Sequence, residues 1–380
     1  MEAKQIAAIT NDIQKEIIGE TALQVAEDLS NIVDVGKEAF SATDVEQYCK
    51  KLFDRIGKVV FVNRVYEGSA PSVLKTDWEY ASITQKIDAE MPDSIENESW
   101  KLVNGQTYNQ DKFVEPKVSQ KLFNSLVTFD VPLSKSEVTI KSAFTSASQV
   151  QGFYSMIETA IANTFTIKTD GLIMRTIDNF IAGIIEGGTS TQVIPLRVMY
   201  NAQFGTNLSM NECRLNPDFI RFASYMIRLY VDRIQHMSTL FNSDGKSRFT
   251  PKSRLHAVFL NEFYSASAVY LESDTFHNDL VKLPKVETVP FWQGSGTDYS
   301  FDNTSSINVN ARITSSETAN VSATGVIGTF FDDYSLGVSH QNKRVTTHWN
   351  ASAEFLNSWY KWDAGYFNDF SENGIVFTIS

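Results

Sequence analysis

Residues 152–181 read GFYSMIETAIANTFTIKTDGLIMRTIDNFI and belong to the longest periodic segment of the chain. Apolar residues recur in it every three or four positions and continue beyond it, which predicts one helix over Phe153–Ile185 with most apolar residues in one stripe. A helix of this length would span about 50 Å. Gly187 and Gly188 mark its predicted end. Gly171 could bend or divide it, because a glycine inside a helix costs roughly 1 kcal/mol relative to alanine.

The residues before this helix predict a helical segment, a strand and a long irregular arm. Residues 43–57, TDVEQYCKKLFDRIG, carry apolar residues at helical spacing and end on Gly57. The β-branched run KVVFVNRVY, Lys58–Tyr66, predicts a strand. Between Glu67 and Asp130 the apolar residues are too sparse to bury a core of their own. We expect either an extended acidic β-arm that leans on another surface or a solvent-exposed loop.

The residues after the long helix predict a mixed unit of helices and strands. Asn216 and Pro217 open a strongly amphipathic helix, which is followed by the strand RLHAVFLN, a helix from Glu262 to about Leu280 and the strand KVETVPFW. Residues 299–326 are rich in Ser, Thr and Asn, yet their apolar residues alternate, which predicts a polar β-ribbon with an exposed edge. SENG, residues 371–374, predicts a hairpin turn into IVFTIS.

The aromatic segment NSWYKWDAGYF, residues 357–367, fits both helical and strand spacing, and the turn signal after it favours a strand. On a strand, Tyr360, Trp362 and Tyr366 would share one face, which we expect to pack on the long helix. Trp359 and Phe367 would lie on the other face, near a neighbouring copy of the chain. The alternative is an exposed stacking platform for a carbohydrate.

Composition limits the function. The chain has 380 residues and a net charge of −12, which argues against a dedicated nucleic-acid binder. No apolar stretch is long enough to span a membrane, and the first residues do not resemble a secretory signal. Two cysteines cannot supply a disulfide framework and fit a reducing compartment. A chain of this length and mix can form two or three compact units.

The usual signatures of catalysis and of metal binding are missing, so we predict no catalytic, cofactor-binding or metal site and no enzymatic activity. A calcium loop at Asn242, Asp244 and Gly245 fails because a leucine and a proline occupy two ligand positions. The adjacent Asp332 and Asp333 should point to opposite faces of a strand and share no substrate. Two further groups of side chains are expected to have surface or structural roles. These are the basic stretch Lys246, Arg248, Lys252, Arg254 and His256, expected to be a solvated loop, and the histidines His236, His256, His277, His340 and His348.

The order of elements resembles the major capsid protein of tailed bacteriophages, an α+β protein with the Hong Kong 97-like fold. LFDRIGKVVFVNRV, residues 52–65, and residues 152–181 are similar to segments of capsid proteins from small short-tailed phages, and AGYFNDFSENGIVF, residues 364–377, is similar to the C-terminal strands of phage capsid proteins. The resemblance implies four parts of the chain. They are an N-terminal helical arm at 1–57, a first strand and extended loop at 58–140, a peripheral domain with the spine helix at 141–190 plus 341–380, and an axial domain at 191–340.

The resemblance also implies a function. The chain would self-assemble through hexameric and pentameric capsomers into an icosahedral shell that encloses double-stranded DNA without sequence-specific binding. Portal, scaffolding and decoration proteins are possible partners, no membrane is involved, and assembly would take place in the host bacterial cytoplasm before the protein becomes part of the virion. The extended loop would reach over a neighbouring subunit. The alternative remains a carbohydrate-binding or other structural virion or surface protein that uses the C-terminal aromatic residues.

Overall fold

The computed structural model describes residues 2–42, 45–63, 71–75, 84–89, 91, 96–108, 111, 113, 115, 117–272, 286–292, 298–312 and 318–380. Helices and strands are mixed along the chain. The helices are α1 Ala3–Ile17, α2 Ile32–Ala42, α3 Val45–Asn63, α4 Glu137–Ala143, α5 Ala147–Gly187, α6 Leu196–Phe204, α7 Met210–Cys213, α8 Pro217–Ile234, α9 Asn261–Glu272 and α10 Phe301–Thr304. The strands are β1 Leu74–Lys75, β2 Thr84–Ala89, β3 Val118–Phe123, β4 Leu126–Ser136, β5 Val193–Pro195, β6 Leu255–Leu260, β7 Val286–Val289, β8 Ile307–Arg312, β9 Thr318–Ala323, β10 Val326–Asp332, β11 Leu336–Asn350, β12 Phe355–Asn368 and β13 Gly374–Thr378.

Two sheets and two hairpins organise these strands. The four-stranded sheet has the order β1-β11-β12-β4, and the five-stranded sheet has the order β5-β13-β10-β6-β7. The pairs β2–β3 and β8–β9 are separate antiparallel hairpins. Every strand neighbour in the two sheets is antiparallel except β1 with β11, β5 with β13, and β6 with β7. The prediction of an α+β protein is confirmed.

The long helix α5 is the centre of the fold, and its prediction from apolar spacing is confirmed. It runs unbroken for 41 residues, or about 60 Å, and the Ser146 hydroxyl caps it by accepting from the backbone N–H of Gln149. Gly171 neither bends it into two helices nor ends it. The prediction of one apolar stripe is wrong for the second half of the helix, where buried residues occur on all sides. The reason is that α5 packs against strands of both sheets and against the β8–β9 ribbon.

The strand predicted from Lys58 is wrong over the described residues 58–63, because α3 continues as a helix to Asn63. Gly57 was expected to end this helix, but it lies inside it, at the point where α3 crosses the four-stranded sheet. A Cβ at position 57 would lie 2.5 Å from Val345 and 2.7 Å from Tyr360. Packing of the helix on the sheet therefore outweighs the β preference of Val59 and Val60.

The close approach at Gly57 gives a test with a matched control. Gly57→Ala should lower the free energy of unfolding by about 1–3 kcal/mol, because the added methyl group overpacks the contact with Val345 and Tyr360. Gly152→Ala on α5 should be neutral or stabilising by up to about 1 kcal/mol, because a Cβ there meets no atom within 4 Å. Urea unfolding of both variants measures the difference. If both substitutions change the free energy of unfolding equally, α3 does not press against the sheet at Gly57.

The N-terminal helices pack on the body of the protein. Ile6 and Ile13 of α1 are fully buried, and the hydroxyl groups of Thr10 and Tyr154 lie 3.3 Å apart. The predicted helical content of residues 1–57 is confirmed over the described part of the segment. The first helix is anchored on α3 and α5, as its apolar face requires.

The SENG segment is not a hairpin turn, and this prediction is wrong. β12 pairs with β11 and β4, whereas β13 pairs with β10 and β5, so residues 369–373 carry the chain from one sheet to the other. The crossing is buried and tied to the body by hydrogen bonds from the backbone N–H of Asp369 to Ser335 O and from that of Gly374 to Phe241 O. The C-terminal tail is therefore divided at Asn368, with β12 in the four-stranded sheet and β13 in the five-stranded sheet. The four domain limits themselves remain a prediction.

The remaining predictions for the second half of the chain are mostly confirmed. α8 begins after its Asn216 cap with Pro217 at the first position, and strands β6 and β7 occur where they were expected. The helix expected from Glu262 is described as α9 up to Glu272, and the rest of its predicted length lies outside the described residues. The polar ribbon is the hairpin β8–β9. One of its faces is buried against α5 through Ile307, Ala311 and Val321, so it is less exposed than predicted.

Candidate functional site

The feature with the clearest functional meaning is the hairpin β2–β3 and the chain that connects its strands. We call residues 84–123 the arm. Trp100 is 97% exposed and Phe113 is 83% exposed. Seven other large apolar side chains of the arm are also exposed: Ile87, Met91, Leu102, Val103, Tyr108, Val118 and Leu122. The prediction of an extended β-arm without its own core is confirmed for these described residues.

The strand register gives the hairpin two chemically different faces. Lys86 lies opposite Lys121, and Asp88 lies opposite Ser119. Because side chains alternate along a strand, these four share one face, and that face lies against the body of the protein through the ion pairs described below. Ile87, Val118 and Leu122 occupy the opposite face, and each is at least 60% exposed.

This arrangement is the reverse of an ordinary surface hairpin, which turns its apolar face inward and its polar face to water. Contiguous exposed apolar residues mark surfaces that bind another macromolecule or a ligand. The outward face of the arm, together with Trp100 and Phe113, is therefore the candidate functional site. Its chemistry is that of a protein interface, since it offers aromatic and aliphatic side chains on an extended backbone.

The basic stretch predicted to be a solvated loop is instead largely paired with acids. Arg248 makes a bidentate contact with Asp88, in which its Nη1 donates over 2.9 Å, and Lys246 Nζ lies 3.6 Å from the same carboxylate. Arg254 lies 3.6 Å from Asp332, and His256 Nε2 lies 2.9 Å from Asp333. Lys252 alone of the five is exposed. The sequence could not reveal these pairs, because Asp88 is 160 residues away from Arg248.

The aromatic tail packs inside the protein, which removes the main support for a carbohydrate platform. Trp362 is fully buried, and its ring centroid lies 4.8 Å from that of Phe165 on α5. The Tyr360 hydroxyl donates to Phe53 O over 3.3 Å. The predictions of a strand and of one face on the long helix are confirmed. Trp359, on the other face, is half-buried beside Lys361.

The expectation that Phe367 lies against a neighbouring copy is wrong, because its own chain covers this side chain. Phe367 is buried, and its ring centroid lies 4.9 Å from that of Phe123 at the end of β3. The base of the arm covers this face of β12. This contact could not be predicted from the sequence, because local residue patterns do not determine the direction in which the arm turns.

The residues weighed as metal or acid–base sites have structural partners. Asn242 closes its loop by accepting from Lys246 N over 2.8 Å and donating to Lys246 O over 2.7 Å, and Asp244 pairs with Lys121. Asp332 accepts from Thr250 Oγ1 over 2.8 Å, whereas Asp333 accepts from Lys75 and His256, so the two carboxylates face different partners as predicted. Within the described residues no group of three His, Cys, Asp or Glu side chains is arranged to hold a metal ion.

Each histidine was expected to lie at the surface or to be hydrogen-bonded, which agrees with the exposed His236 and His348 and with His256, paired with Asp333. The expectation is wrong for His340, whose two ring nitrogens are buried without a hydrogen-bond partner among the described residues. His277 lies outside the described residues. His340 on β11 is largely buried, with its ring centroid 5.1 Å from that of Phe165. Burial, aided by the charge of Lys343, lowers the pKa of His340 from 6.5 to about 4. Because the pKa is lower in the folded than in the unfolded chain, the neutral ring supports folding above pH 6.5, and this contribution is lost as the pH falls towards 4.

This shift predicts a pH-dependent loss of stability. The free energy of unfolding should fall by up to about 3 kcal/mol between pH 6.5 and pH 4 from His340 alone. His340→Gln removes the titrating ring and should flatten that fall, whereas His348→Gln, on the exposed part of the same strand, should not. Urea unfolding across this pH range measures both. If the free energy of unfolding of His340→Gln falls with pH as steeply as that of the parent chain, this fall does not come from His340.

Comparison with solved structures identifies the class of fold. A chain in the capsid structure of Staphylococcus phage Andhra is similar over 83% of this chain and 86% of that chain, with a TM-score of 0.54 and 9% identity. A chain in the structure of the head fiber and inner core protein of native bacteriophage P68 is similar over 78% and 81%, with a TM-score of 0.51 and 9% identity. At this identity the likeness concerns the fold, which is the Hong Kong 97-like fold of phage capsid proteins.

The sequence itself places the chain in a family. The family model for Phi29-like phage major capsid protein matches residues 6–378, so the chain belongs to that family and is a shell-forming capsid protein of the virion. Among curated proteins no sequence matches it. No helix within the described residues is long and apolar enough to cross a membrane.

Proposed function

We propose that this capsid protein assembles through hexameric and pentameric capsomers into a closed icosahedral shell, and that the arm of each subunit lies across a neighbouring subunit. The observation that carries the proposal is the outward apolar face of the arm, which its own chain leaves exposed. A surface of this kind is costly in water and is stabilised when a second copy covers it. Obligate interfaces bury roughly 2,000 Å² or more, and an extended arm supplies such area with few residues.

The shell encloses double-stranded DNA without reading its sequence. The net charge of −12 supports this part of the proposal, because binding that depends on many phosphate contacts requires an excess of Lys and Arg. The role is non-enzymatic, in keeping with the family. Assembly takes place in the host cytoplasm, and portal, scaffolding and decoration proteins are the partners that we propose for the finished head.

The four parts of the chain that we propose have the limits predicted from the resemblance. We assign residues 1–57 to an N-terminal helical segment, 58–140 to the extended loop, 141–190 with 341–380 to the peripheral domain, and 191–340 to the axial domain. Helix α5 and the four-stranded sheet support the peripheral assignment, and the five-stranded sheet supports the axial one. Strand β13 joins the two domains, because it follows β12 in the chain but pairs with β5 and β10.

Hydrogen exchange tests the proposed role of the arm. The backbone amides of residues 96–108 should exchange fast in the unassembled subunit and slowly in assembled particles, because a neighbouring copy covers them. The amides of β6, a buried strand of the five-stranded sheet, serve as the control and should be protected equally in both states. If the arm exchanges at the same rate in subunits and particles, no neighbour covers it and the proposal fails.

A further inference from the structure

The inward face of the arm carries two lysines in an unfavourable arrangement. Lys86 of β2 and Lys121 of β3 lie directly opposite each other in the hairpin register. Like charges at such positions destabilise a hairpin. The structure resolves the conflict with Asp369, whose carboxylate lies 2.6 Å from Lys86 Nζ and 3.0 Å from Lys121 Nζ. Asp369 belongs to the buried crossing between β12 and β13, so the pairing joins the arm to the body of its own chain.

A second set of contacts lies two residues further along the same face. Asp88 accepts from Arg248, and the Nζ of Lys246 donates to Ser119 Oγ over 2.9 Å. Asp88 and Ser119 are themselves opposite each other in the register. The body of the protein therefore holds both strands of the hairpin at two successive positions on the inward face. Two points of attachment fix the direction of the hairpin as well as its place on the body.

The anchoring residues on the body are held in place by their own hydrogen bonds. Asp369 accepts from the backbone N–H and the hydroxyl of Ser371, at 3.0 and 2.7 Å. The loop that carries Lys246 and Arg248 is closed by the side chain of Asn242. This loop and the crossing are bonded to each other through Ser243 N and Phe370 O, 3.0 Å apart. The body thus presents a fixed set of charges to the hairpin.

The charges balance only while the hairpin is docked. Four cations meet four anions here: Lys86, Lys121, Lys246 and Arg248 face Asp88, Asp244, Asp369 and Glu372. If the hairpin left the body, the two facing lysines would lose their counterions and Asp369 would lose both lysines, whereas Glu372 would keep only its contact with Arg248 at 3.7 Å. Burial alone would raise the pKa of Asp369, but the ammonium group of Lys86, with Ser371 and Lys121, lowers it to about 2.

Apolar packing also contributes to this attachment. Phe123 packs on Phe367 at the base of the arm. Beyond that contact, a cleft of about 910 Å³ opens between β2 and the body, and its wall includes Met237, Phe249 and Tyr334, all of which are substantially exposed. Ion pairs hold the middle of the hairpin, and the cleft leaves space beside it.

We propose that these eight charged side chains form a clamp that sets the angle at which the arm leaves its own subunit, and that opening the clamp lets the arm swing. The clamp acts within one chain, so it is separate from the contact that the arm makes with a neighbour. Because salt screens the exposed pairs of the clamp, such as Lys121 with Asp244, and does not weaken apolar burial, a clamp of this kind holds the arm reversibly.

The distance between two spin labels tests the clamp on the unassembled, dilute subunit. Labels are attached at Gln120→Cys on β3 and Thr159→Cys on α5, both exposed positions, while the native Cys49 and Cys213 are buried. The parent chain should give one narrow distance distribution. Asp369→Asn should broaden it, because Lys86 and Lys121 then repel each other without a shared counterion. Asp363→Asn is the control, since this buried carboxylate of β12 pairs with Arg344 and has no ion pair or hydrogen bond with the described residues of the arm.

The decisive variant is the double substitution Asp369→Asn with Lys121→Gln. It removes the like-charge pair and should bring the distance distribution back towards the parent width. If Asp369 only stabilises its own turn, the double variant should be as broad as the single one. Raising the salt to about 1 M, where the Debye length is ~3 Å, should broaden the parent distribution without any substitution. The proposal is overturned if Asp369→Asn leaves the distribution narrow, if the double variant is as broad as the single one, or if salt has no effect. Since no assembly is involved, these outcomes are independent of shell formation.

Discussion

Replacing Trp100 and Phe113 together by serine should abolish particle formation and leave the subunit folded. Both side chains are almost entirely exposed in the single chain, so they contribute little to its stability. Buried between copies, aromatic anchors of this kind each contribute about 2 kcal/mol or more to association. In a closed shell every subunit makes the contact, so the loss is repeated throughout the particle. Electron microscopy and sedimentation measure assembly, and circular dichroism measures folding.

Gln120→Ser is the matched control for this experiment. Gln120 is an exposed polar residue of β3 on the same outward face as Leu122, so its replacement changes the arm without removing apolar surface. We expect particles of parent appearance from this variant. If the Trp100 and Phe113 double variant also forms such particles, the exposed apolar residues of the arm are not the assembly surface.

Trp362→Ala should be among the most destabilising single substitutions in the chain. The ring is fully buried between β12 and α5, against Phe129 and Phe165. Removing a buried tryptophan typically costs 3–5 kcal/mol, through lost burial and the cavity left behind. We therefore expect the free energy of unfolding to fall by about 4 kcal/mol, as measured by urea denaturation.

Trp359→Ala provides the comparison, because Trp359 lies on the opposite face of the same strand and is only half-buried. Its loss should cost clearly less. Fluorescence quenching adds a second readout, in which Trp362 should be protected from a soluble quencher. Equal destabilisation by the two variants, or a freely quenched Trp362, would reopen the possibility that the tail aromatics serve as a ligand platform.

The features that were predictable from the sequence are those set by neighbours along the chain. The length of α5 follows from apolar spacing that persists over many turns, and the start of α8 follows from an Asn cap and a Pro at the next position. The strand nature of the tail follows from its alternation, although the turn signal that also favoured a strand marks a crossing between two sheets instead. The extended character of the arm follows from its shortage of apolar residues to form a core.

The failed predictions have their cause in contacts between distant parts of the chain. Residues 58–63 are helical because Gly57 lets α3 press against β11 and β12, which lie nearly 300 residues later. SENG is a crossing because β13 finds its partners in the five-stranded sheet. The basic stretch is paired because the arm brings Asp88 to it. Local sequence carries no record of such partners, so the ion pairs beneath the arm could be found only in the folded chain.

The most direct test of the account is an electron cryomicroscopy reconstruction of the assembled protein, preceded by sedimentation of the purified chain at high concentration. We predict hexamers, pentamers or closed shells, in which density from a neighbouring subunit covers Trp100, Phe113 and the outward face of β2 and β3. A chain that stays strictly monomeric at high concentration, or particles in which no neighbouring subunit covers Trp100 and Phe113, would contradict the proposed assembly.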